Sequence, residues 1–365
     1  LELDKHPDLL TCYLFTLQFI YEHDPRIINK IQKPCFLNSS TDIALNNDAM
    51  TQLHILPHSS YKGRYRSLLD IIDFTCTRMG YRLLKSRLYS PCKDAATLSL
   101  RYTLIEEMLS KYKKVQQQLQ GIGDIEKKYR KLALLKLKPS ELGRLSFSFE
   151  KISILLRDTE LNDPFNIFLN DYKTTFNIDK LEKDEGNFFT FPIDIQIQNK
   201  LKTIKSTLQL FADKITQQID KGMHNLIKLE ETEKDGFFFT TTKKRWGVFV
   251  KNNTQTQFKK FEFCKLKCRE LSNAVRITHP LFDKYWGMYK KLQNNYKVLL
   301  TRKYRETLER YYSQYNELFT KVIKYIATTD VQASLAKASV KYGYTRPQII
   351  KSKSSFVTAV KMRHP

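Results

Sequence analysis

The stretch PIDIQIQNKLKTIKSTLQLFADKITQQIDKGMHNLIKL, residues 192–229, decides the fold. Its apolar residues Ile193, Ile197, Leu201, Ile204, Leu208, Phe211, Ile215, Ile219 and Leu226 recur at spacings dominated by three and four. That repeat describes a helix with a single coiled-coil-like seam. One helix over this stretch would reach roughly 57 Å at 1.5 Å per residue. A second seam starts at Pro280 and runs through Leu281, Tyr285, Met288, Leu292, Tyr296, Leu299, Tyr304, Leu308, Tyr311, Tyr315, Leu318, Val322 and Ile326. Its tyrosines are most simply seam residues with wet hydroxyls. The economical arrangement sets two long arms antiparallel, stripe against stripe, and leaves the intervening residues at the far tip.

At that tip the period changes to two. Phe237-Phe238-Phe239 with Thr240 to Thr242, then Trp246 to Val250, then Phe258 to Lys267 read as short strands, with Asn252-Asn253 as a turn. The expected fold class is therefore mainly α: a helical core with two long antiparallel coiled-coil-like arms carrying a small β-rich tip.

Working outward, a helix is expected from Asp8 to His23, then an irregular stretch to Arg66. Ser67 reads as the N-cap of one helix running through Leu68, Ile72, Met79 and Leu84 to Ser90-Pro91. Asp94 caps the next helix. Two more follow, Tyr112 to Leu137 and Ser140 to Leu156, with Pro139 at the break. The segment Asp158 to Phe191 carries turn signals and looks like a boundary. Beyond the second arm the pattern returns to a helix through Val331, Leu335 and Ala338.

The 365 residues include 41% hydrophobic ones, enough for real cores, and only 11 glycines and 11 prolines, which suits long helices. The 62 Lys and Arg against 38 Asp and Glu give a net charge of +24, so the expected partner is a polyanion, nucleic acid or an anionic membrane surface. No apolar run approaches the ~20 residues that span a bilayer, and Leu1 opens on charged residues without a signal-peptide pattern. The six cysteines are scattered, as a reducing intracellular compartment allows. The missing initiator Met suggests a start inside a longer protein.

Charge concentrates at the tip. Between Lys234 and Arg276 eleven basic side chains face three acidic ones, a net charge of +8 over 43 residues. Cations on a short strand scaffold, with aromatics packing the other face, are what phosphate contacts require. The alternative is a solvated strand edge guarded by lysines. Cys264 and Cys268 have no second pair or His cluster to complete a metal site, since His279 stands alone. His54 and His58 are separated by Pro57, and Asp70, Asp73 and Thr75 fit surface or inter-helix hydrogen bonds better than catalysis. Trp246 reads as a packed residue rather than a base-stacking platform.

Several local strings, in order, resemble the MutS family of mismatch-repair proteins. Ser67-Leu68-Leu69-Asp70, Asp73, Thr75, Thr77 and Met79-Gly80-x-Arg82-Leu83-Leu84 resemble the opening of that family's core, or lever, domain. Gly123-Asp124-Ile125-Glu126 resembles an Asp-Leu-Glu-Arg string, with Lys127 where Arg is common. Gly236-Phe237-Phe238 and Leu271-Ser272-Asn273-Ala274-Val275-Arg276 look like the two ends of its clamp. Asp330-Val331-x-x-Ser334-Leu335-Ala336, Tyr344-x-Arg346-Pro347 and Arg363-His364-Pro365 resemble the run into its ATPase domain.

The resemblance implies a first part of the core over 1–190, arms and clamp over 191–327 with a strand-rich tip at about 235–276, and a core return segment over 328–365. It also implies non-sequence-specific binding of double-stranded DNA by a clamp, through Lys243, Lys244, Arg245, Lys251, Lys259, Lys260, Lys265, Lys267, Arg269, Asn273 and Arg276. Dimerisation as a homodimer or MutS-like heterodimer and a MutL-like partner follow by resemblance, with no membrane partner. A phosphate-binding loop needs two glycines five apart before Lys-Ser/Thr, and no glycine pair here has that separation. These residues are thus expected to be no enzyme and to hold no cofactor, while ATP and Mg belong to the parent protein. The rival readings are a structural or packaging DNA-binding protein that keeps the arm without repair, and a scaffold whose basic tip docks on anionic lipid.

Overall fold

The computed structural model describes residues 7–31, 43, 45–55, 66–220, 226–254, 266–271, 273–350, 354 and 356–362. The chain divides into two compact units, one of Leu1–Phe188 with Leu308–Pro365 and the other of Phe189–Thr307.

The described part of the first unit is helical. Its elements are α1 (Pro7–His23), α2 (Asn47–Gln52), α3 (Leu68–Ile72), α4 (Arg78–Tyr89), α5 (Ala95–Met108), α6 (Tyr112–Leu119), α7 (Ile125–Ala133), α8 (Pro139–Gly143), α9 (Ser146–Leu155), α10 (Asn162–Thr175) and α11 (Ile178–Lys183), with the later part of the 63-residue α14 (Pro280–Tyr342). Phe149, Phe165, Phe168, Tyr172 and Phe319 form its aromatic centre, with Phe168 and Phe319 edge to face at 4.8 Å. Asp171 of α10 ties α14 to this centre, accepting from both terminal nitrogens of Arg310 at 3.0 Å and from the Tyr315 hydroxyl at 2.9 Å.

The helices here are shorter than the periodicity predicts. The single helix expected after Ser67 breaks at residues 73–77. Ser67 does cap α3, accepting from Asp70 N, but Thr77 starts a new helix by accepting from Gly80 N at 3.0 Å. The break is made by α14. Asp330 accepts from the backbone nitrogens of Cys76 and Thr77, while Ser334 accepts from Phe74 N and donates to Ile72 O. The helix expected over Tyr112–Leu137 is likewise split, at Gly121-Ile122-Gly123, where Gly121 takes a φ of +85° that favours glycine. Asp124 caps the second piece through Lys127 N, and Asp94 caps α5 as expected. Pro139 is the first residue of α8, and a further break at Arg144-Leu145 precedes α9.

The second unit comprises α12 (Ile195–Ile219), β1 (Lys228–Thr232), β2 (Gly236–Thr242), α13 (Lys243–Thr254), β3 (Lys267–Glu270), β4 (Ala274–Thr278) and the beginning of α14. Asp194 caps α12 by accepting from Ile197 N. Its seam ends at Ile219, about 37 Å long at 1.5 Å per residue, so Leu226 and Leu229 fall outside the helix and Leu229 lies in β1. The antiparallel sheet has the order β1-β2-β4-β3. Ile204, Leu208, Ala212 and Ile215 of α12 bury against Phe237 and Phe239 of β2, Val275 and Ile277 of β4, Phe249 of α13, and Phe282 and Tyr289 of α14. Contacts that rise along α12 fall along α14. Gln198 donates to Tyr296, the Lys205 ammonium lies over the Tyr289 ring, and Phe211 meets Phe282.

The sequence also misreads the element after β2. Trp246 to Val250 is helix, and Asn252-Asn253 continues it rather than turning. Trp246 and Phe249 pack into the core three positions apart, stacked at 5.0 Å, while Val248 and Val250 stay exposed. In a strand that spacing would send the two aromatics to opposite faces. Most of the strand expected over Phe258–Lys267 lies outside the described residues; β3 begins at Lys267.

Candidate nucleic-acid interface

In the second unit, the sheet presents one face to the apolar core and the other away from it. Phe237, Phe239 and Thr241 of β2 are buried on the first face. On the second, register aligns Lys228, Thr240, Arg276 and Arg269 in one row across all four strands. Arg276 and Arg269 are direct cross-strand neighbours, a like-charge pair that costs stability unless something compensates. Among the described residues the compensation is visible on one side only. Arg276 donates to Asp235 at 3.0 Å, and its guanidinium lies 3.7 Å from the centroid of Phe238, which it covers. The hydrogen bond from Arg276 holds the Asp235 carboxyl below its ordinary range. Arg269 is exposed at the edge strand.

Lys243, Lys244, Arg245 and Lys251 are exposed on α13, whose start is marked by Arg245 N donating to the Thr242 hydroxyl at 3.4 Å. Lys243 makes a loose ion pair with Glu270 at 3.4 Å. Lys267 is exposed on β3, and Asn273 is exposed in the tight turn closed by Leu271 N donating to Ala274 O. Lys259, Lys260 and Lys265 lie outside the described residues.

The count that begins at Lys234 misses β1. Its Lys228 joins the basic row, but Glu230, Glu231 and Glu233 bring the net charge over residues 228–276 to +6. Acid gathers at the β1 edge and base at the β3 edge. Glu230 accepts from Thr240, Glu231 pairs with Lys205, and Glu233 approaches Lys290 at 3.5 Å. The acidic edge is matched by other groups of its own unit, whereas among the described residues the β3 edge is matched only in part. Pairing of a Lys-Leu-Glu-Glu-Thr run with Gly-Phe-Phe-Phe-Thr was the available signal, obscured by the extension of the helical seam to Leu229.

Trp246 is packed, as expected, and Asp73 accepts from Thr75 N and its hydroxyl, a local turn rather than a catalytic set. Among the described residues no group of three or more His, Cys, Asp or Glu could hold a metal ion. No helix among them is long and apolar enough to cross a membrane.

What the fold and surface define is a mainly helical chain of two units, one carrying a small sheet with a basic edge. Residues 48–336 match the family model for MutS domain III, and the chain belongs to the MutS family. It is similar to a mitochondrial DNA mismatch repair protein mutS homolog of Sarcophyton glaucum, 26% identical over 98% of this chain and 38% of that protein. It is also similar to a putative DNA mismatch repair protein mutS homolog of Acanthamoeba polyphaga mimivirus, 23% identical over 96% of this chain and 35% of the relative. The DNA mismatch repair protein MutS of Pelotomaculum thermopropionicum is 26% identical over 91% of this chain and 39% of its own length. The chain thus spans well under half the length of these relatives. The family match supports a MutS-like role for the chain.

Proposed function

We propose that the second unit is a DNA clamp, in which α12 and the beginning of α14 are antiparallel arms and the sheet with α13 is the gripping tip. The rise-and-fall order of the contacts between α12 and α14 supports the arms. The observation that carries the reading is the basic β3–α13 edge, where Lys244, Arg245, Lys267 and Arg269 stay exposed while the acids of β1 are matched elsewhere. Lysine and arginine at such an edge bind phosphates of any sequence, which suits surveying a duplex.

In this reading the first unit is a lever that transmits the state of the clamp to an ATPase outside these residues, where ATP and Mg would bind. These residues themselves perform no catalysis. The parent works inside the cell as a homodimer or MutS-like heterodimer, with a MutL-like partner.

The test is a salt titration of duplex binding by the wild type and a Lys243→Ala/Lys244→Ala/Arg245→Ala variant, with helicity checked by circular dichroism. Each lost phosphate contact lowers the log–log slope by about 0.9. A slope unchanged in a folded variant removes α13 from the interface.

A further inference from the structure

A groove of about 800 Å³ lies in the first unit between α4, α5, α7 and the later part of α14. Arg87 of α4 and Arg101 of α5 line it, with Lys324 of α14 as a third cation. On the same wall Arg82 is fully matched, held by Asp124 at 2.7 Å and Glu126 at 2.6 Å. Arg87 and Arg101 have no such partner among the described residues. Both are half-buried. Burial, and after it the neighbouring Arg101 charge, pulls Arg87 down to about 10, so it still carries its proton at neutral pH. Tyr129 also lines the groove, with its hydroxyl buried.

Two half-desolvated like charges without a counter-ion are costly to the fold. The cost at the two arginines is removed by one type of guest. A phosphate group brings up to two negative charges and several acceptor oxygens, and guanidinium binds it in a bidentate fork. Ser86 lines the groove with a hydroxyl that can serve a remaining oxygen. A lone carboxylate has one charge and would leave one arginine unmatched.

We propose that this groove is a phosphate-binding site in which Arg87 and Arg101 hold one phosphate group between them. It is separate from the basic edge of the second unit and does not depend on the clamp reading. The phosphate could belong to a small phosphorylated compound or to a DNA backbone, and two probes distinguish the sources.

The whole chain is titrated calorimetrically with pyrophosphate in chloride buffer at constant ionic strength, and separately with a short DNA duplex. Arg87→Met and Arg101→Met are compared with Lys113→Met, which removes an exposed charge of α6. Arginine-dependent pyrophosphate binding, weakened at least tenfold in either groove variant and unchanged in the control, assigns a free phosphate compound. Arginine-dependent duplex binding without pyrophosphate binding assigns a backbone phosphate. Melting curves guard against misfolding. Without anion the Arg87→Met protein should melt no lower than wild type, because a repulsive pair has been removed. If neither ligand's affinity depends on Arg87 and Arg101, or if Arg87→Met alone unfolds the chain, the site is overturned.

Discussion

The carboxylate of Asp330 lies 2.7 Å from both the backbone nitrogen and the hydroxyl of Thr77, although 253 positions separate the two residues. The same carboxylate reaches Cys76 N and presses against Gly80, where an added Cβ would sit 2.2 Å from an oxygen of Asp330. Strings at opposite ends of the chain thus form one device. Likewise Arg82 joins the first of these strings to Asp124 and Glu126 of another.

Asp330→Asn should lower stability by about 2–4 kcal/mol, because an amide nitrogen would replace an oxygen among buried donors. Gly80→Ala should cost at least as much, since the new methyl and the carboxylate cannot both keep their places. Urea midpoints at unchanged m-value are the measurement. A loss below about 1 kcal/mol for both would mean that the 73–77 turn holds without Asp330.

Glu141 sets an acid limit. Lys128 at 2.6 Å and then Lys131 at 2.7 Å hold its carboxyl down at about 2. A depressed carboxyl contributes stability above its unfolded pKa of about 4.3 and loses it as pH falls toward the folded value. The wild type should therefore lose stability between about pH 4.5 and 2 more steeply than Glu141→Gln. Asp330 acts in the opposite sense. Burial raises its pKa, so its contribution weakens as pH rises out of the ordinary carboxyl range, and Asp330→Asn should abolish that component. Parallel acid-unfolding curves for wild type and Glu141→Gln would remove the Glu141 assignment.

Local pattern made much of this fold legible. The seam of α12, the phenylalanine strand, and the caps Ser67 and Asp94 all act as residues a few positions apart. What stayed hidden depends on distant partners. Nothing near Asp73 announces that Asp330 and Ser334 will capture the backbone and end α3. Trp246–Val250 has strand composition, and only burial of two aromatics against α12 makes it helix. The cations of the candidate interface were legible by type, but their exposure and the acid of β1 depend on strand register, which composition does not encode. The arginine pair of α4 and α5 was not singled out, because nothing in either helix shows that the other will lie beside it.

Arg276 and Arg269 face each other across β3 and β4 but should fail differently when truncated. Arg276→Ala removes the Asp235 pair and uncovers Phe238, so it should destabilise the second unit by about 1–3 kcal/mol. Arg269→Ala relieves a like-charge neighbour and should leave stability within about 0.5 kcal/mol. In the clamp reading it should still lower the salt slope of duplex binding by about 0.9. Melting and salt titration of the two variants separate the roles. A reversed ranking, with Arg269 structural and Arg276 neutral, would contradict the register and contacts described for the sheet.

Gly143 and Gly247 offer a paired test of packing against propensity. A Cβ at Gly143 would stand 2.6 Å from the backbone N and Cα of Glu182, so α8 and α11 touch through bare backbone. Backbone cannot swing aside as a side chain can, and Gly143→Ala should cost about 1–3 kcal/mol or more. At Gly247 the space is open and the residue sits inside α13. There Gly247→Ala should add about 1 kcal/mol, because alanine has the higher helix propensity. In a strand, alanine is among the poorer residues and no such gain would follow. The same substitution therefore decides between the helix of the structure and the strand suggested by composition. A Gly247→Ala protein that melts lower than wild type would count against α13, and with it against the scaffold that presents Lys243, Lys244 and Arg245.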